Sequence, residues 1–403
     1  MDISLFELNI FLPFIYLYGL VIGAFIVSLL WGGFLSDNSE LLIGTESIPH
    51  QQFIDKICFG VVAFAVFLFM ATRDESVGSD TSSYIDFFNS DDFSYMGDKT
   101  EFLFELHGRL LRLFHLNDEA FVFVTTLIYS SGLYYLIWKT SKFRTFSLIL
   151  FMIIGTSSIF FFLYLSMMRQ CLALCFFFYA VYFLFESDRS QNGKLFLGAL
   201  FYISAILTHA SCLFTLPFII LTYLNKTLSK KIWIIVLVVT YLMAALDISF
   251  VSQILGFVMG IVQNEHYEQY ADVHFGMIDS KGMFNMNLIP FMVLAAIILL
   301  IASSDEIKDY KIQFALLSVV LNNIFFDNLM WSRLIMYFSM FMIIAIPNAI
   351  YGKTKMFQIP IMSFVFVYFS YKTFSQLLYQ ILYFDDGNII IPYESWLIDF
   401  GYE

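Results

Sequence analysis

The sequence predicts an all-α polytopic membrane protein with about 11–12 membrane segments, and three observations predict it. Of 403 residues, 60% are hydrophobic and 13% charged, where soluble domains carry about a quarter charged residues. Apolar runs long enough to cross a hydrocarbon core of about 30 Å recur along the whole chain. These runs are apolar on every side rather than alternating, which argues against a membrane barrel.

In chain order the apolar segments cover 11–31, 57–72, 120–138, 146–166, 168–185, 195–224, 232–250, 287–302, 312–328, 334–351 and 356–384. No soluble domain or low-complexity linker separates them, so the expectation is one integral membrane domain over 1–403. Lysine and arginine in short loops set the orientation: Lys139, Lys142 and Arg144 mark one cytoplasmic loop, Lys353 and Lys355 another. Lys226, Lys230 and Lys231 would fall outside if 195–224 crossed once. That segment is 30 residues long and is interrupted by "LTHAS" (207–211). Two short helices, 195–208 and 211–224, each about 21 Å long at ~1.5 Å per residue, would form a hairpin that returns the lysines inside and leaves His209 at its tip. Both termini then lie outside, as do 73–119, 251–286 and the tail 385–403, all of them acidic.

The net charge of −12 and the lack of a basic patch point away from nucleic acid. The first residues carry neither the basic n-region nor the small-residue cleavage site of a removable signal peptide. Cys58, Cys171, Cys175 and Cys212 all fall in apolar segments, and the Cys171–Cys175 spacing on one helix suits neither a disulfide nor a metal. They read as packing residues.

Ionisable groups in membrane segments cost a few kcal/mol at mid-depth, so they persist where they line a cavity, pair or reach the interface. In this topology Arg73, Arg169, His209, Asp247, Asp327 and Arg333 all sit at outer ends of segments. Charges at segment ends are cheap, and that plain reading leads for Asp247 and Asp327. Arg169 differs. In "SMMRQCLALCFF" it opens a helix, where the helix dipole disfavours a cation, so an anion should be meeting it. The planar fork of arginine suits a pyrophosphate. His209, at a tip near water, is a candidate proton acceptor; the plain alternative is a histidine bonded to a neighbouring helix.

The stretch "RDESVGSDTSSYIDF" (73–87) reads first as a helix start, with Gly78 making a turn and Asp80 or Thr81 capping a helix that begins near Ser83. That reading leaves Arg73 and the acid excess without a reason. Beyond it, "EFLFELHGRLLRLFH" (101–115) places Phe102, Leu106, Leu110, Leu113 and Phe114 on one face and its charges largely on the other, which predicts an interfacial helix.

With these residues in view, a family resemblance emerges. "RDESVGSDTSSY", "MMRQCLA", "LTHASCLFTLP", "WSRLIMYF" and "IIIPYESW" resemble, in the same order, the motifs of the EpsG family of polysaccharide polymerases, which are similar to Wzy-type enzymes. The resemblance implies a GT-C-like or Wzy-like helical architecture at the bacterial inner membrane, with no nucleotide sugar, cofactor or metal. It implies a glycosyltransferase that joins undecaprenyl-pyrophosphate-linked repeat units into an O-antigen, capsule or exopolysaccharide. Its partners would be the lipid-linked donor and acceptor and membrane lipid, with a chain-length regulator and a flippase as further candidates. Carried onto this chain, the motifs give Arg73, Arg169, Gln170, Arg333, Tyr84, Tyr337 and Tyr393 as pyrophosphate- or substrate-binding residues. Asp80 and His209 become the candidate catalytic bases. The serine of "GSDT" replaces a frequent threonine, and "HGRLLRLF" departs from the family pattern.

Two other readings compete. A lipid-linked-sugar flippase or transporter would more often show internal repeats and mid-membrane polar groups, and neither is evident. A glycan ligase shares the arginines, the histidine and the depth; a deletion strain separates the classes, because single capped repeat units mark a polymerase.

Overall fold

The computed structural model describes residues 11–31, 47–90, 101–155, 159–246, 288–325, 329–382, 390–398 and 400. Asp247, Asp327, the loop 251–286 and most of the tail before Ile390 lie outside them. Helices dominate: α1 Leu12–Trp31, α2 Ser47–Ala71, α3 Thr81–Asn89, α4 Phe102–Leu113 and α5 Asp118–Thr140. Then come α6 Arg144–Ile153, α7 Phe160–Ser166, α8 Met168–Phe185 and α9 Gln191–Thr208. After a 3₁₀ turn at Ala210–Thr215 follow α10 Leu216–Tyr223, α11 Lys230–Ala245, α12 Ile289–Ile301 and α13 Tyr310–Ile324. The last three are α14 Leu329–Ser339, α15 Met342–Ile350 and α16 Lys355–Leu382. Among the described residues there is no strand, and one antiparallel bridge joins Arg73 to Ser395.

Among the described residues four helical stretches are long and apolar enough to cross a membrane: Leu12–Trp31, Gln52–Ala71, Asp118–Thr140 and Met168–Phe185. Shorter apolar helices lie at Arg144–Ile153, Ala210–Tyr223, Ile289–Ile301 and Leu334–Ile350. Large apolar side chains such as Phe64, Phe196, Ile235 and Val367 face outward. An exposed apolar surface over hydrogen-bonded helices is what a hydrocarbon solvent requires. This is an all-α polytopic membrane protein.

Two expected single segments are broken. The run 146–166 divides into α6 and α7, and 334–351 divides at Met340–Phe341 between α14 and α15. The first break comes at Ile154–Gly155, where a glycine disfavours continuing the helix. The segment 195–224 breaks at His209, as expected, and the Tyr202 hydroxyl donates to the Cys212 carbonyl at 2.9 Å.

The chain forms two compact units: Met1–Ile154, Ser158–Leu213 and Ile350–Glu403 make the first, Gly155–Ser157 and Phe214–Ala349 the second. In the first, α5 and α8 pack backbone to backbone because Gly132 has no side chain; a Cβ there would come within 2.6 Å of the Cys175 Cα. At one end of this unit, buried Asp55 joins three segments. Its carboxylate accepts from the Arg144 N–H at 3.1 Å, the Thr145 N–H at 3.1 Å, the Thr145 hydroxyl at 2.8 Å and the Ser28 hydroxyl at 3.0 Å. It therefore satisfies the exposed N–H groups that open α6. The four cysteines are buried and none is in a disulfide.

In the second unit Gln313 ties α13 to the loop before α11. Its amide accepts from the Leu228 N–H at 3.0 Å and donates to the Leu228 and Ile307 carbonyls at 3.0 and 2.6 Å. The Asn323 amide donates to the Thr240 hydroxyl at 3.2 Å, linking α13 to α11.

Candidate functional site

Helix α4 is held by one face. Phe104, Gly108 and Leu111 are buried, with Phe104 edge-on to Tyr84 at 5.5 Å and stacked on Phe87 at 5.3 Å. The face predicted to meet the membrane, Phe102, Leu106, Leu110, Leu113 and Phe114, points away from the protein and is exposed. Glu101 occupies the N-cap position of this helix with extended backbone, yet its carboxylate does not cap it. It reaches instead across to two other helices.

Glu101 Oε1 lies 2.8 Å from His209 Nδ1 and accepts from the Ala210 N–H at 2.8 Å. Glu101 Oε2 lies 3.2 Å from Arg169 Nε. The three side chains are 17–23% exposed, neither sealed nor open. Burial alone would raise the Glu101 carboxyl, but the His209 bond and charge, the Arg169 guanidinium and the Ala210 N–H outweigh it and hold the carboxyl below its usual value. Among the described residues His209 Nε2 has no hydrogen-bond partner. The anion that meets Arg169 at the start of α8 is thus the chain's own Glu101.

Sequence reasoning missed Glu101. The signal was Arg169 at the unfavourable end of a helix, which called for an acid without saying which one.

Arg73 has a different setting. It follows the C-terminal end of α2, where a cation suits the helix dipole, and its Nη1 donates to the Met70 carbonyl. The same nitrogen is 3.3 Å from the Thr126 hydroxyl and 3.4 Å from the Tyr129 hydroxyl. Arg73 is buried, and neither Nε nor Nη2 has a partner among the described residues. The tail covers it. Asp74 N–H donates to the Glu394 carbonyl at 3.0 Å, and Trp396 N–H to the Thr72 carbonyl at 3.1 Å. Tyr393, a predicted binding residue, is buried with its ring stacked on Phe69 at 3.8 Å and its hydroxyl donating to the Phe69 carbonyl.

The "GSDT" stretch makes the expected turn: Gly78 has φ 96°, and a Cβ there would meet the Leu165 carbonyl oxygen at 2.4 Å. Helix α3 begins at Thr81, slightly earlier than expected. Asp80 holds the N-cap position, but its side chain makes no capping bond; it accepts from the Ser79 hydroxyl at 3.1 Å and is half-buried. The Thr81 hydroxyl lies 2.7 Å from the Val77 carbonyl and 3.3 Å from that of Leu165. Since Leu165 shortly precedes Arg169, this turn packs beside the start of α8. Gln170 is buried in the first turn of α8 and Tyr84 in α3. Arg333 and Tyr337 belong to α14 of the second unit. Tyr337 is buried, and the Arg333 side chain lies outside the described residues.

The geometry therefore unites Arg169 and His209 through Glu101, sets the Asp80 turn beside α8, and gives Arg73 separate partners under the tail. The family model that matches the chain is described as the EpsG family and covers residues 56–395. Comparison with curated proteins and with solved structures gives no match.

Proposed function

The chain belongs to the EpsG family, and from that premise we propose that it polymerises lipid-linked oligosaccharide repeat units into a surface polysaccharide at the outer face of the bacterial inner membrane. The observation that carries this reading is the meeting of Arg169 and His209, residues of two separate motifs, at one half-open place. A glycosyl transfer from a lipid pyrophosphate needs both of their chemistries.

In the proposed reaction the growing chain, on undecaprenyl pyrophosphate, is the donor. A sugar hydroxyl of the incoming repeat unit attacks the donor's anomeric carbon. The new glycosidic C–O bond forms, the bond to the pyrophosphate oxygen breaks, and the hydroxyl proton passes to His209 Nε2 as base. Charge gathers on the departing pyrophosphate, where a guanidinium stabilises it. Arg169 is assigned this role, and Arg333 is a second candidate. Arg73 acts as a buried positive charge held by Met70, Thr126 and Tyr129. Asp80, with only a neighbouring hydroxyl on its carboxylate, is assigned to the acceptor sugar.

The test is the surface-glycan ladder of a deletion strain. A polymerase predicts single capped repeat units in place of the ladder. Complete loss of surface glycan would overturn the reading in favour of a flippase or ligase.

A further inference from the structure

We propose that Glu101 is a positioning residue for the reaction, fixing which nitrogen of His209 faces the substrate and tying that nitrogen to Arg169. This rests on the polymerase reading for its purpose, though not for its geometry.

A neutral imidazole has one N–H and one basic nitrogen, and the bond made by one nitrogen decides the role of the other. At His209 the Nδ1 side faces a carboxylate oxygen at 2.8 Å, which can only accept. The proton of the neutral ring therefore sits on Nδ1, and Nε2 keeps its lone pair. The same carboxylate oxygen takes the Ala210 N–H at 2.8 Å, so it cannot rotate away without leaving a peptide donor unmet. Its other oxygen faces Arg169 at 3.2 Å. One carboxylate thus sets the spacing between a proton acceptor and a cation from two different helices. A base backed by an orienting acid is the arrangement that activates a weak hydroxyl nucleophile.

The N-cap position of Glu101 supports the assignment. The short side chains of Ser, Thr, Asp or Asn there turn an oxygen onto their own helix, whereas the longer glutamate leaves α4 uncapped and directs both oxygens to the site. The amphipathic helix α4, with its apolar face outward, then becomes the support that delivers Glu101.

Two measurements on the purified full-length protein test this. The first is the nitrogen NMR of isotope-labelled histidine at alkaline pH, where a free imidazole is neutral, with His209→Asn identifying the signal. The Nδ1-protonated tautomer is expected in the wild type and a mixture in Glu101→Gln, since an amide offers both a donor and an acceptor. The same tautomer in both proteins would overturn the proposal. The second is a double-mutant cycle on the rate of chain extension from lipid-linked repeat units. His209→Ala should slow extension by about 100-fold or more and Glu101→Gln by roughly 10-fold or more, while the double variant should be no slower than His209→Ala. Glu101→Asp, which keeps the acid, should recover part of the rate. Multiplying losses would show that Glu101 does not act through His209 and overturn the proposal. A wild type with the tautomer but without extension would sink the polymerase reading and leave the Glu101–His209 hold standing.

Discussion

Asp55 and Glu101 are two carboxylates that solve similar problems differently. Each joins three segments of the first unit, and each has an arginine from the first turn of a helix within ion-pair reach, Arg144 at 3.5 Å and Arg169 at 3.2 Å. Asp55 accepts from two peptide N–H groups and two hydroxyls, and its side chain is 5% exposed. Glu101 accepts from one peptide N–H and otherwise faces titratable or charged side chains, and is 19% exposed. A carboxylate that serves the fold uses its lone pairs on groups that never change charge. A carboxylate that serves a reaction is coupled to groups that do.

Substitutions should separate the two kinds of acid. The largest effect is expected from Arg169→Lys. A single ammonium cannot reproduce the guanidinium fork, so the long glycan chains should vanish, a loss of about 100-fold or more in extension rate, at unchanged membrane protein level. A normal ladder would remove Arg169 from the site. Asp55→Ala should act in the opposite sense. It strips the N-terminus of α6 and leaves Arg144 without its acid, at a cost of about 3 kcal/mol. The melting temperature in detergent should fall while the rate per folded molecule stays near wild type. A selective rate loss in Asp55→Ala would erase the distinction.

Acid should expose Glu101 as well. Its carboxyl is depressed in the folded protein, so its stabilising contribution is whole above the free glutamate value of about 4.3. That contribution is lost as pH falls through the lower folded value, because the unfolded chain takes up the proton first. Glu101→Gln should therefore flatten the acid limb of the stability–pH curve, with a change of under about 1 kcal/mol at neutral pH. An unaltered acid limb would show that Glu101 is not the acid concerned.

The smallest effect is expected from Asp80→Asn. Asparagine occupies an N-cap about as well as aspartate, and Asp80 makes no capping bond to lose, so stability should hold. If Asp80 touches the acceptor sugar rather than taking its proton, extension should slow by about tenfold or less, visible as a shorter ladder. Loss comparable to His209→Ala would move the base to Asp80.

Much of this was legible in the residues. Helix α8 begins and ends where the apolar run 168–185 does, the break at His209 follows "LTHAS", and the outward face of α4 is the one its periodicity picks out. These features are local, and local patterns carry them. Glu101 was not legible because its partner His209 lies 108 residues away, and the loop before α4 offers several acids of equal appearance. The setting of Arg73 was half legible: a cation past the end of α2 is expected, but the tail above it comes from more than 300 residues later.

That last separation has a consequence for biosynthesis. The Thr72 carbonyl and the Asp74 N–H are paired with Trp396 and Glu394, so these two bonds cannot form until a further stretch of more than 300 residues has been made. The tail then acts as a clasp, and a ribosome that stops before Ile391 releases a chain in which every described helix has been made while this clasp is missing. Quality control in the membrane would have a concrete feature to sense in such a product: the Thr72 carbonyl and the Asp74 N–H left without their partners.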